Sequence, residues 1–341
     1  MKYLYYCNSL YQVINVIRIQ GEKNKNGDKG DVIIQLSFPG AKKIASNLEK
    51  QGLFENVYTF EKDKKSIGNH LKRINELLFP RLTLIKRFGL DIDNDYDKII
   101  IPKVNQFIGM LWRLNKKAIT VFYEDGVGSY FEQDRIKSFS SKKYNSIYRF
   151  LNHGRGFEDI DTLYLNSPEL ALDQGFKILQ IPRMSREYIR IMSEVFSYIN
   201  VTPFDKLNWI SQKTGWNNFK MDDESYLDLI KDKSHLLYRQ HPRYLQQKPE
   251  GIRCDNPEEP FELKVLLDPT IEEKTFISHF STASVVPKLL FNREPKEIFL
   301  YRTWDSDYSK IDAFVERLKK AYKNKDKIIV VKKEEDFIRE I

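Results

Sequence analysis

Cysteine is scarce in this chain: there are two among 341 residues, Cys7 and Cys254. Two are too few for a disulfide framework or a cysteine-based zinc site, so both read as reduced, structural thiols. The five histidines, His70, His153, His235, His241 and His279, show neither HxxxH nor HxH spacing, and a histidine metal site is not expected either. No apolar run approaches the roughly 20 residues of a membrane span. The first residues, Met1-Lys2-Tyr3-Leu4-Tyr5-Tyr6-Cys7-Asn8, lack the long apolar core of a signal peptide, which predicts a cytoplasmic protein. Walker and GxGxxG phosphate loops are also missing, so any phosphate has to be held by other groups.

What is present is a core. Hydrophobic residues make up 41% of the chain, and with 19 Tyr and 22 Phe it reads as neither a disordered chain nor a low-complexity one. This length is more naturally two domains than one. The net charge is +8, with Lys319, Lys320, Lys323, Lys325, Lys327, Lys332 and Lys333 crowding the C-terminal region. Such a balance suits phosphates of nucleotides, nucleic acids or anionic lipid headgroups. It suits a merely solvated lysine-rich face equally well.

The first third alternates strands at 2–7, 31–36, 56–60, 98–101 and 118–123 with helices at 11–19, 41–51, 67–79 and 104–114. That alternation predicts a parallel sheet covered by helices on both faces. Residues 161–165 read as the last strand of a first domain, and Asn166-Ser167-Pro168 as a turn into a linker. A second unit follows, with strands at 234–238, 261–267, 274–278, 297–301 and 328–331 and helices at 283–291, 311–322 and 334–341. The expected domains are therefore 1–165 and 166–341, with a ligand site in the cleft between them.

Several short polar islands sit where predicted strands run out into loops, the place where open α/β sheets bind ligands. After the strand at 118–123, Glu124-Asp125-Gly126 offers two carboxylates and a glycine that lets the chain turn sharply. Such a carboxylate can accept a proton from an attacking hydroxyl; the plainer reading is a surface Asp-Gly turn. In Arg239-Gln240-His241-Pro242-Arg243 an imidazole flanked by guanidiniums suits a phosphate, the plainer reading being a strand-end histidine that caps a carbonyl. In the run Ser278-His279-Phe280-Ser281-Thr282, Ser281 or Thr282 stands at a helix N-cap, where hydroxyls and free N–H groups form an anion site. Asn8 and Ser9 occupy the first strand-to-helix turn as candidate caps, and Gln12 lies one turn further on, within reach of the cleft.

Taken in this order, the Glu-Asp-Gly, His-Pro and Ser/Thr islands resemble those of the bacterial sialyltransferases, with Cys7, Ser9 and Gln12 matching a Cys-x-Thr/Ser-x-x-Gln run of glycosyltransferase family 52, the lipooligosaccharide and capsule enzymes. Bacterial polysialyltransferases share the acidic and His-Pro motifs. The resemblance implies a GT-B fold, two Rossmann-like domains facing each other across a cleft, and inverting transfer of sialic acid from CMP-sialic acid to a galactose-type hydroxyl of a surface glycan. It implies no cofactor and no metal. Asp125 or Glu124 would be the base, His241 would donate to the departing phosphate, and Ser281 and Thr282 would hold its other oxygens. Arg239, Ser278, Asn8 and Ser9 would complete the donor site, shaped by Gly126 and Pro242. Acceptor recognition is expected within 79–95 and 131–157.

The partners expected are a nucleotide sugar and a glycan acceptor, with peripheral contact to an anionic membrane and a homodimer left open. The enzymatic rival is a GT-B transferase using another nucleotide sugar. A rival of another class is a nucleic-acid-binding protein, motivated by a pI near 9.1. No nucleic-acid motif supports it, and nucleic acid is not among the expected partners.

Overall fold

Runs such as Val32-Ile33-Ile34 and Ile99-Ile100-Ile101 have no polar alternation, and every one of these side chains is buried. Strands of this kind belong in the middle of a parallel sheet covered on both faces. The computed structural model describes residues 1–61, 76–93, 95–132, 137, 142–151, 156–172, 175–197, 202–211, 223–241, 249–256, 259–303 and 307–341, with the side chains of 142–145, 223 and 224 outside that description. The chain divides into two compact units, Met1–Tyr198 and Ile199–Ile341.

In the first unit, β1 (Lys2–Cys7), β2 (Lys29–Leu36), β3 (Val57–Glu61), β4 (Lys98–Ile101), β5 (Ile119–Tyr123), β6 (Thr162–Leu165) and β7 (Lys177–Gln180) form one sheet in the order β3-β2-β1-β4-β5-β6-β7. All pairings are parallel; Tyr3 of β1 lies opposite Gly30 of β2 on one side and Lys98 of β4 on the other. The strand order reverses beside β1, so the crevice beyond the ends of β1 and β4 is the topological switch point. Helices α1 (Leu10–Asn24), α2 (Ala41–Gln51), α3 (Pro80–Phe88), α4 (Gln106–Leu114), the short α5 (Gly128–Phe131), α6 (Lys142–Leu151) and α7 (Arg186–Phe196) join them.

The second unit repeats the plan. Strands β8 (Leu207–Ile210), β9 (Leu236–Arg239), β10 (Arg253–Cys254), β11 (Thr275–Ser278), β12 (Lys296–Phe299) and β13 (Ile328–Val330) form a parallel sheet in the order β10-β9-β8-β11-β12-β13. Its switch point lies between β8 and β11. Helices α8 (Asp223–Asp228), α9 (Phe261–Leu267), α10 (Thr282–Phe291), α11 (Ser309–Ala321) and α12 (Glu334–Glu340) accompany it. Trp209, Tyr238, Ile277, Ile298, Val331 and Phe337 pack into one core cluster. Two parallel-sheet Rossmann-like α/β units are thus the architecture, as expected.

Differences are local and have physical causes. The expected strand at 261–267 is helix α9: seven residues of mostly apolar sequence carry no decisive period, and Pro260, with φ −63° at the N-cap, starts a helix that buries Phe261, Leu263, Lys264, Val265 and Leu266. The first sheet continues past Leu165, because β7 pairs with β6 and α7 packs on α1 and α2. Four-residue strands β7 and β8 and the helix α7, capped by Ser185, lie in sequence that reads as irregular. The expected helix at 67–79 lies mostly outside the described residues. Within the expected acceptor segments stand the helices α3 and α6.

Gly21 marks how closely α7 approaches α1. A Cβ at this position would stand 2.6 Å from a ring carbon of Tyr188, itself buried. Gly21→Ala is expected to destabilise the fold by about 1–3 kcal/mol through overpacking, despite the better helix propensity of alanine. Urea unfolding checks this; an unchanged or raised midpoint would show that the two helices have room to spare.

Candidate active site

The ligand edge of the first sheet is built from three strand ends. At the end of β1, Ser9 is the N-cap of α1 and its hydroxyl accepts from the Gln12 backbone N–H at 3.4 Å. The Gln12 side chain folds back so that its Oε1 accepts from the Asn8 N–H at 2.6 Å, which leaves Nε2 to donate to Asp125 Oδ1. From the turn after β4, Lys103 Nζ reaches Asp125 Oδ2 at 2.6 Å. Asp125 follows β5, and its backbone N–H donates to Ser129 Oγ at 2.9 Å. Gly126, at φ +133°, takes a conformation that a side chain would strain, and so turns the chain away from the sheet. Both oxygens of Asp125 are therefore aimed, yet its side chain is 24% exposed and that of Lys103 43% exposed.

Glu124, one residue earlier, points the other way and is fully buried. Successive side chains at a strand end project to opposite sides. Its carboxyl accepts from the Tyr11 hydroxyl, from Tyr130 at 2.7 Å, and from the backbone and side-chain N–H groups of Asn166 at 2.7 and 3.0 Å. Behind it, Arg18 donates to Asn15 Oδ1 at 2.7 Å, to Asn166 Oδ1 and to the Pro182 carbonyl at 3.2 Å. Burial raises the Glu124 carboxyl, against the pull of its Tyr11, Tyr130 and Asn166 donors. It also holds the Tyr130 phenol well above its ordinary value and pushes the Arg18 guanidinium down to about 10. Of the two acids in the motif, Asp125 is the one that a hydroxyl arriving from solvent can reach.

In the second unit β11 ends at Ser278, at the switch point. Ser278 is buried and its hydroxyl is tied into the turn, donating to Ser284 Oγ at 3.1 Å and accepting from the Ser281 N–H at 3.3 Å. Ser281 is the N-cap of α10, accepting from the Ala283 N–H at 3.3 Å, and Thr282 is the first residue of that helix. Ser278 and Ser281 thus fix the turn that brings the N-terminus of a ten-residue helix to the end of β11.

Arg239 is not placed for a phosphate. Its guanidinium is buried, donating to Asp255 and to the carbonyls of Asn256 and Glu259, while Lys264 Nζ meets the other Asp255 oxygen. The expected donor-binding role of Arg239 is corrected accordingly: Asp255 at the end of β10 takes up the cation, which clamps β9, β10 and α9. Burial lowers the Lys264 ammonium, against the opposite pull of Asp255. His241 is half-buried, two residues beyond the end of β9. Pro242 and Arg243 lie outside the described residues. Among the described residues no three His, Cys, Asp or Glu side chains gather as metal ligands.

No protein-family model matches the chain, and no curated protein sequence matches it. Solved structures do. A putative UDP-N-acetylglucosamine 2-epimerase from Listeria monocytogenes is similar with a TM-score of 0.55 and 9% identity, over 99% of this chain and 86% of that one. The UDP-GlcNAc 2-epimerase from Methanocaldococcus jannaschii gives 0.52 and 12%, over 100% and 92%. The spinosyn forosaminyltransferase SpnP gives 0.50 and 13%, over 99% and 88%. At these identities the likeness is one of fold: the GT-B architecture of glycosyltransferases and epimerases. The resemblance to glycosyltransferase family 52 is corrected by this finding, since the structures found are UDP-sugar epimerases and GT-B transferases rather than CMP-sialic acid enzymes. Open α/β sheets bind ligands beyond the ends of their strands, so polar islands at those places do not by themselves name the donor.

Lys103, Tyr11, Tyr130, Asn15, Arg18 and Asn166 escape a reading by motif. Lys103 carries the one usable signal, its place directly after an apolar strand.

Glu124 gives a pH prediction. The folded chain holds its proton to higher pH than the unfolded chain does. Its contribution to stability is then fully present below the ordinary value of 4.5 and is lost as pH rises through the folded-state value. Thermal unfolding of Glu124→Gln between about pH 4.5 and 8 should fall less steeply with pH than wild type, by up to about 1.4 kcal/mol per pH unit. Parallel curves for the two proteins would show that burial does not govern this carboxyl.

Proposed function

We propose that the protein is a GT-B glycosyltransferase that uses a uridine diphosphate sugar as donor and transfers its sugar, with inversion, to a hydroxyl of a glycan acceptor. The observation that carries this reading is Asp125, a solvent-reached carboxylate aimed by Gln12 and Lys103 at the switch point of the first sheet. Sharing a fold with UDP-GlcNAc 2-epimerases and a forosaminyltransferase supports a nucleotide-sugar substrate.

In the proposed step the acceptor hydroxyl gives its proton to Asp125 as its oxygen attacks the anomeric carbon. The bond from that carbon to the nucleotide oxygen breaks in the same displacement. An oxocarbenium-like transition state attacked from the opposite face gives the inverted product. The departing nucleotide takes the electron pair of the broken bond, and the proposal includes no metal. Lys103 holds Asp125 in one rotamer and Gln12 holds its other oxygen, so the base is preorganised.

The test is the thermal shift of the protein with UDP, GDP, dTDP and CMP, followed by incubation with UDP-GlcNAc in the absence of an acceptor. UDP is expected to stabilise the fold, by about 2.7 kcal/mol when present at a hundred times its dissociation constant. A response to CMP alone, or to none of the four, overturns the donor. Conversion of UDP-GlcNAc to its C2 epimer without acceptor would overturn transfer in favour of epimerisation.

A further inference from the structure

We infer that the first unit docks on an anionic phospholipid surface through the outer face of α3 and the neighbouring end of α6. Large apolar side chains are normally turned inward on a helix of a globular protein. On α3 and the residue pair before it, Leu78, Phe79, Leu82 and Ile85 are instead 42%, 61%, 51% and 41% exposed, while Leu84 on the opposite side is buried. Leu82 and Ile85, three residues apart, share one face of α3, and Leu78 and Phe79 lead into it.

The end of α6 lies close to the residues that lead into α3. Arg113 donates to the carbonyls of both Leu77 and Leu151, at 3.1 Å for the former, so one guanidinium ties the start of α3 to the end of α6. Phe150, beside Leu151, is 82% exposed. Five large exposed apolar side chains thus lie on α3, just before it and at the neighbouring end of α6, all within a single unit and independently of any reading of the active site.

The charges at the rim select the occupant. Arg81 and Lys86 flank the α3 stripe on its two sides, and Arg149 lies next to Phe150; Arg81 pairs with Asp91 at 3.2 Å and Arg149 with Glu158 at 2.6 Å. An apolar stripe edged by long cationic side chains is the pattern of a helix lying in a lipid interface. There the apolar face enters the acyl boundary and Lys or Arg reaches the headgroups. The chain's net charge of +8 adds long-range attraction to an anionic leaflet. No helix among the described residues is long and apolar enough to cross a membrane, so the contact is one of lying on the surface. The surface bears on α3 and α6, not on the C-terminal lysines.

Sedimentation of the full chain with phosphatidylcholine vesicles, with and without about 30% phosphatidylglycerol, tests this. Binding is expected to the anionic vesicles only and to weaken with salt. Leu82→Asp combined with Ile85→Asp should lower partitioning about tenfold or more while the melting curve stays unchanged. Phe150→Ser, at a position almost wholly outside the core, gives a second variant that should also weaken binding should the first fold poorly. Absence of binding to the anionic vesicles, or equal binding by both variants, overturns the inference. A dimer in light scattering that these variants dissolve also overturns it, and assigns the surface to a second copy of the chain.

Discussion

Taking a carboxyl group wholly out of water is unfavourable unless donors or a proton compensate it, and the first unit has gathered its ligand edge around one such group. Glu124 holds Tyr11 of α1, Tyr130 of α5 and Asn166 beyond β6 about a single carboxyl, and Asn166 passes the linkage on to Arg18. Helix, strand end and loop are thereby fixed relative to one another from inside. Asp125 inherits that rigidity. Its backbone position follows from its neighbour's burial, and only its side chain needs Lys103 and Gln12.

The second unit uses a buried ionic cluster for a similar purpose with a different outcome. Asp255 sits between Arg239 and Lys264, all buried. Such a cluster is weak evidence for net stability, because desolvation offsets much of the attraction, but removing one member leaves unpaired charge in the core. Its effect is to lock β9, β10 and α9 in register. What remains for a ligand at that edge is the end of α10, set by the hydroxyls of Ser278 and Ser281, and the half-buried His241.

Much of this architecture is legible in the residues. Strands β1, β2, β4 and β5 announce themselves because parallel strands buried on both faces must be continuously apolar, and Ser9 and Ser281 cap the helices their positions suggest. Segment 261–267 is not legible, since a short apolar run suits a strand and a buried helix alike and Lys264 finds its partner Asp255 only in three dimensions. Asn166 reads as a linker turn because its partner lies 42 residues away. The choice between Glu124 and Asp125 follows from the alternation of a strand once its end is known. Donor identity does not follow at all: polar residues at strand ends record where this fold binds, and the chemistry of the nucleotide is written in contacts that short motifs do not encode.

The central claim is that Asp125 is the base, and the most direct measurement is the turnover number of Asp125→Asn beside wild type, with a UDP-sugar and a saturating sugar acceptor. Asparagine keeps the shape and the contact with Lys103 but cannot take the proton. The account predicts turnover lower by about a hundredfold to ten-thousandfold, with nucleotide affinity unchanged. Turnover within a few-fold of wild type would contradict it and remove this carboxylate from the chemistry.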